Sequence, residues 1–234
     1  MTHQNRLSAP VTWPIERKTA PFTVAPDAGP HGEAGVPIVI ILRDVLGYVD
    51  NEREAKYAVR SGYVTVNGKT VTDHTQPLGL FDILVFNERE EYYRVFPGRG
   101  GRLSLTPIDP EAAQTKLSKV TGKQQITGGQ TQLALHDGGT VLVDDPNAYG
   151  THDSVIIDLE SHEIVHHLPY EIGSMVTAVA GQHAGEIGTI EEIEVHPGSS
   201  SNTLHIATDD GGIETIEEYV VVIDENFTEG DNDG

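Results

Sequence analysis

Apolar residues in this chain come in short runs, such as Ile83–Phe86 and Val220–Ile223, each closed by an Asn or Asp. A core-bearing helix needs apolar positions at i, i+3 and i+4 over about ten residues; short runs between turn residues suit strands. With 25 Gly and 13 Pro in 234 residues, the punctuation is dense enough to favour a turn-rich, mainly β protein with a small α/β part.

The segment YVTVNGKTV, Tyr63 to Val71, shows the pattern at its clearest. Val64 and Val66 alternate with Thr65, Asn67-Gly68 supplies the two positive-φ residues of a tight hairpin turn, and Lys69 follows the turn. Upstream, Pro37 opens a helix with Ile38, Ile41, Leu42, Val45 and Leu46 on one face and Arg43 pointing away. A second helix starts at Glu52, capped by Asn51, with Glu54 at the capping-box position. Its apolar stripe is Ala55, Ala58 and Val59; Lys56 and Arg60, four apart, share its other side. Gly62 suits its left-handed C-terminal cap. The unit spans residues 37–95 and sets Arg43, Lys56, Arg60 and Lys69 on one surface.

Residues 1–36 are rich in Pro, Gly and His and read as an extended arm carrying Arg6, Trp13, Arg17 and Lys18, cations and an indole suited to phosphate contact and base stacking. Packing of the arm on its own domain, with Trp13 as anchor, is the alternative. PGRGGR, 97–102, is a glycine-rich tip with Arg99 and Arg102, either a phosphate finger or a solvated turn. Residues 96–170 form a β-rich middle domain with turns at HDGG, DDPN and ESHE. In residues 171–226, Gly181, Gly185 and Gly188 sit between short strands, as in a small SH3-like barrel. Residues 227–234, FTEGDNDG, read as a disordered acidic tail.

Charge is divided sharply along the chain. All 15 Lys and Arg lie between Arg6 and Lys123, matched there by 14 Asp and Glu; from Gln124 onward there are 22 acids and no Lys or Arg. A polyanionic partner is therefore plausible for the first half alone. A net charge of −21 repels nucleic acid in dilute buffer, but it also keeps a protein dispersed in molar salt, where the Debye length is only about 3 Å and a contacting cation still acts. The scarcity of lysine favours the salt reading.

The absence of cysteine excludes disulfides, thiolate zinc sites and cysteine nucleophiles. No apolar run approaches ~18 residues and the start, MTHQNRLSAP, has no apolar signal core, so a cytoplasmic protein is expected, with no membrane partner. His162-Glu163-Ile164-Val165-His166 matches H-E-x-x-H, but that chemistry needs a helix. The surrounding SVIIDLESHEIVHHLPY is hairpin grammar, and in a strand the two His would stand roughly 13 Å apart. No G-x-S-x-G, Walker or G-x-G-x-x-G pattern is present. The reading is a non-enzyme with no catalytic residue, metal, cofactor or small-molecule substrate.

One family joins these features. The arm reads H-x-x-R-L-x-A-P-x-x-W-P-I-x-R-K at 3–18 and G-P-H at 29–31. L-R-D at 42–44, V-x-V-N-G-K at 64–69, T-D at 72–73, P-x-G-x-x-D at 77–82, Y-R-V at 93–95 and G-R at 101–102 follow. Q-L-x-L-H-D-G at 132–138, I-V-x-H at 164–167 and P-Y-E-I-G at 169–173 complete the series, and the glycines at 181–188 have KOW-motif spacing. Over nearly its whole length the chain resembles the S4e family of small-subunit ribosomal proteins, from a halophilic archaeon-like source. The resemblance implies an S4-type RNA-binding domain, a β-rich middle domain and an SH3-like KOW barrel. It further implies rRNA and neighbouring ribosomal proteins as partners, a structural role in assembly and translation, and His3, Arg6, Trp13, Arg17, Lys18, Arg43, Asn67, Gly68 and Lys69 as RNA contacts. Lys56, Arg60, Arg99 and Arg102 join that set from the residues alone. The alternatives are a free KOW- or S4-type RNA-binding factor and an accessory to an RNA-modifying enzyme. Gln4-Asn5, Thr70-Val71 and Gly138-Gly139 are less basic than the family pattern, which fits a protein adapted to salt.

Overall fold

The computed structural model describes residues 3–198 and 200–228. The chain divides into two compact units, the first formed by residues up to Val95 with Arg102–Gln114, the second by Phe96–Gly101 with the chain from Thr115 onward.

In the first unit the arm is folded back rather than extended. β1 (His3–Asn5) pairs antiparallel with β2 (Phe22–Val24), His3 opposite Val24. The loop between them buries Ala9, Trp13 and Ile15 in the unit's core. Trp13 is 1% exposed, and its Nε1 donates to the Ala34 carbonyl at 3.2 Å. Arg6 is also buried, its Nε donating to the Glu16 carbonyl at 2.6 Å. The packed arm is thus the outcome: a large indole gains more from burial than from solvent, and its one polar atom finds a carbonyl.

β3 (Val36–Pro37) pairs with β6 (Pro77–Leu78). Between them α1 (Ile38–Ile40) runs directly into a wider turn, Ile41–Val45, closed by Leu46 N–H donating to the Ile41 carbonyl at 2.9 Å. That i→i+5 bond rotates the following residues away from the face a regular helix would give them, so Val45 is turned outward rather than into the core. Ile38 to Leu42 are buried without exception, which makes this segment a core plug.

α2 (Glu52–Arg60) forms as the sequence predicts. Asn51 Oδ1 accepts from Glu54 N–H at 3.1 Å, and Glu54 reaches back to Asp50 N–H at 2.9 Å. β4 (Val64–Val66) turns through Asn67 (φ 49°) and Gly68 (φ 75°) into β5 (Lys69–Thr70), Val66 opposite Lys69. β7 (Ile83–Phe86), β8 (Glu91–Pro97) and β9 (Leu103–Pro107) complete a sheet of order β5-β4-β7-β8-β9. β9 joins this sheet beyond the boundary at residue 95 that the sequence suggests.

The second unit holds two five-stranded antiparallel sheets. In one, the long β10 (Thr115–Gln125) sits at the centre. Its first half pairs with β13 (Ser154–Asp158) and its second with β11 (Thr131–Leu135), with a bulge between Val120 and Gly122. β12 (Thr140–Val143) and β14 (Ile164–Leu168) are the edges, in the order β12-β11-β10-β13-β14. A second bulge lies where β13 meets β14, between Ile156 and Ile157. Bulges raise local twist and bend a sheet. The H-E-x-x-H residues fall on a turn and a strand: His162 has φ 59° and Ile164 opens β14.

The other sheet runs through β15 (Met175–Ala178), β16 (Ile187–Glu194), β17 (Thr203–Thr208), β18 (Gly211–Ile216) and β19 (Val220–Val222). Its order is β18-β17-β16-β15-β19, around Val176, Ile190, Leu204, Ile206, Val220 and Val222. Gly188 is obligatory here: a Cβ would lie 2.2 Å from the Ala207 carbonyl oxygen. Phe227, read from sequence as tail, is buried. Residues 229–234 lie outside the described structure.

Candidate nucleic-acid interface

The positions of α2 assign its two faces. Ala55 and Val59 go to the core. Arg53, Lys56, Tyr57 and Arg60 follow at i, i+3, i+4 and i+7, the spacing of a single stripe. Arg53 and Arg60 are exposed, Lys56 is half-buried, and Tyr57 is 68% exposed. Three cations thus flank an open aromatic ring, an arrangement that can take phosphates at its edges and a base or ribose on its face. Arg53 and Tyr57 are absent from the sequence expectation, although the spacing that joins Lys56 to Arg60 reaches them within a turn. The return strand of the hairpin passes the C-terminal end of α2: a Cβ on Gly62 would lie 3.8 Å from Thr70 Cγ2. Lys69, exposed beside Thr70, therefore stands near the Arg60 end.

The other expected contacts divide by what their side chains already do. Asn67 is engaged inside the protein, its Nδ2 donating to Asp82 at 2.8 Å and its Oδ1 accepting from Ile83 N–H at 2.9 Å. Gly68 contributes the turn and no side chain. Arg43 lies against Asp44, Nη2 to Oδ2 at 2.7 Å. Arg17 donates to the Leu7 carbonyl. His3 sits 3.6 Å from Glu52, whose carboxyl is held below the usual range chiefly by its hydrogen bond to His74. Trp13 and Arg6 are buried, 1% and 7% exposed. Lys18 and Arg102 are exposed; the Arg99 side chain lies outside the described structure.

Among the described residues, Lys18, Arg53, Lys56, Arg60, Lys69 and Arg102 make no hydrogen bond or ion pair through their side chains, and all belong to the first unit. Every lysine of the second unit is spent internally. Lys116 pairs with Asp137 at 2.7 Å. Burial pushes the Asp137 carboxyl up, but the charge and hydrogen bond of Lys116 outweigh it, so its pKa lies below the ordinary value. Lys119 donates to the carbonyls of Glu217 at 2.7 Å and Val220 at 2.6 Å, and Lys123 to those of Pro146 at 2.6 Å and Tyr149 at 2.9 Å. Sequence shows where the cations are; only the fold shows which remain available.

Two family models match the chain: Ribosomal family S4e over residues 89–164 and the RS4NT (NUC023) domain over residues 2–33. Small ribosomal subunit protein eS4 of Haloarcula marismortui is 59% identical over 230 residues, covering 98% of each chain. Its counterpart from Natronomonas pharaonis is 58% identical, covering 99% of this chain and 98% of that one. The crystal structure of the 30S ribosomal protein S4e from Thermoplasma acidophilum superposes with a TM-score of 0.70 at 31% identity, covering 84% of this chain and 98% of that one.

Proposed function

Because the chain belongs to the S4e family of small-subunit ribosomal proteins, we propose that its first unit is the rRNA-gripping part of a structural constituent of the small ribosomal subunit. Its activity is scaffolding rather than catalysis. The face that does the gripping is the α2 stripe of Arg53, Lys56, Tyr57 and Arg60, continued by Lys69 at the hairpin. Lys18 and Arg102 add further phosphate contacts from the arm and the 97–102 turn. The observation that carries this reading is that, among the described residues, the Lys and Arg side chains without a hydrogen bond or ion pair all lie in the first unit. Lys and Arg at this spacing neutralise phosphates and follow RNA shape rather than base edges. The second unit, with its 22-acid segment and internally spent lysines, supplies a surface that stays hydrated in concentrated salt.

A cleavage probe tethered at position 57 tests the assignment. In assembled subunits it is expected to cut rRNA at a confined site; a probe there that leaves the rRNA untouched contradicts the α2 face.

A further inference from the structure

One edge of the middle sheet opens onto a groove. Among the described residues, β12 pairs only with β11, and β14 only with β13. Yet Thr140 to Val143 of β12 and Ile164, which opens β14, line one hollow of about 560 Å³ together with Asp144, Asp145, Ala148, Tyr149, His162 and Glu163. The hollow thus runs along the whole unpaired edge of β12 and is bounded by the turn that leads into β14.

Three features make the hollow a receptor. An edge strand presents a row of outward N–H and C=O groups, normally blunted by lysine, proline or an inward charge. TVLV and IVHHL carry none of these. The floor is apolar: Val141, Tyr149 and Ile164 pack onto the sheet's buried core, while Leu142 of β12 is 51% exposed. The rim is acidic, with exposed Asp144, Asp145 and Glu163, and among the described residues no Lys or Arg lines the hollow. The volume falls in the ~300–1,000 Å³ range of ligand pockets, room for a short stretch of extended chain.

We propose that this groove receives an extended, lysine- or arginine-bearing segment of a neighbouring protein, which adds as a strand to the free edge of β12. The proposal rests on the ribosomal reading for its supply of neighbours. Strand addition draws its affinity from main-chain hydrogen bonds and its specificity from alternate side chains. It therefore survives salt that screens isolated ion pairs to about 3 Å, while the acidic rim selects a cationic segment. The same rim repels an RNA backbone.

The test uses the full-length protein in assembled small subunits, with the photocrosslinker p-benzoylphenylalanine at Leu142 or at Glu163. Irradiation is expected to join each position to a protein segment rich in Lys or Arg, identified by mass spectrometry of the crosslinked peptide. With the crosslinker at Thr140 instead, Leu142→Asn and Glu163→Lys together are expected to lower the yield at least tenfold. Crosslinks to rRNA, no crosslink from protein that has entered the subunit, or an unchanged yield in the double variant each overturn the proposal. Failure of the labelled proteins and the wild type alike to co-sediment with the subunit overturns the ribosomal reading instead.

Discussion

Asp82 is the residue on which the first unit's separate segments converge. Its side chain is buried, and it accepts from His31 Nε2 at 2.9 Å, Asn67 Nδ2 at 2.8 Å and Gly79 N–H at 2.9 Å. Asp82→Ala strands donors from the arm, the hairpin turn and the 79–82 loop at once. A buried donor left unpaired costs about 1–3 kcal/mol. At the low end of about 1 kcal/mol for each of the three donors, the expected loss is about 3–5 kcal/mol. The protein contains a single tryptophan, and it is the buried Trp13 of this unit, so its emission reports the unit alone. In urea at constant molar KCl, with m near 2 kcal/mol/M, the midpoint should fall by about 2 M. Asn67→Ala, which removes one neutral donor and one neutral acceptor, should cost about 1–2 kcal/mol. A shift below about 0.5 M for Asp82→Ala, or one no larger than for Asn67→Ala, refutes the reasoning.

Two further outcomes concern the second unit. Lys119, 5% exposed, has its pKa pushed down to about 8 by burial, opposed by Glu218 and Glu217. The unfolded lysine, near 10.4, keeps a proton that the folded one releases, so stability should be flat below pH 8 and rise by up to about 3 kcal/mol between pH 8 and 10.4. Thermal unfolding followed by circular dichroism should show that rise, and Lys119→Met should lack it. Gly188→Ala should destabilise the β15–β19 sheet by about 3 kcal/mol or more, since its Cβ meets a backbone oxygen that cannot move without breaking the pairing with β17; hydrogen exchange of Ile190 and Ile206 amides should accelerate accordingly.

Local grammar was enough for the elements whose causes are local. The Asn51 cap, the Asn67-Gly68 turn and the strand character of Ile164–Leu168 are each decided within a few residues. What escaped is decided by tertiary partners. G-P-H at 29–31 and P-x-G-x-x-D at 77–82 read as separate family marks, but they meet in space: the His31 ring lies where a Gly79 Cβ would be, 2.1 Å from it, and bonds Asp82. Trp13 and Arg6 look like surface groups in a segment without periodicity, because a loop that packs irregularly leaves no period to read. Asn67 serves the turn through its backbone and Asp82 through its side chain, and only the second use removes it from the interface. Arg53 and Tyr57 were legible in the helical spacing, whereas the groove along β12 depends on tertiary packing that no short pattern encodes.

The most direct measurement of the central claim is the salt dependence of binding to small-subunit rRNA by the wild type and by Arg53→Ala/Lys56→Ala/Arg60→Ala. None of these side chains makes a hydrogen bond or ion pair within the protein, so the triple variant should fold with little change in stability. Each lost phosphate contact lowers the slope of log K against log [KCl] by about 0.7–0.9, and the account predicts a total decrease of about 2 to 3. A folded triple variant with the wild-type slope would contradict it.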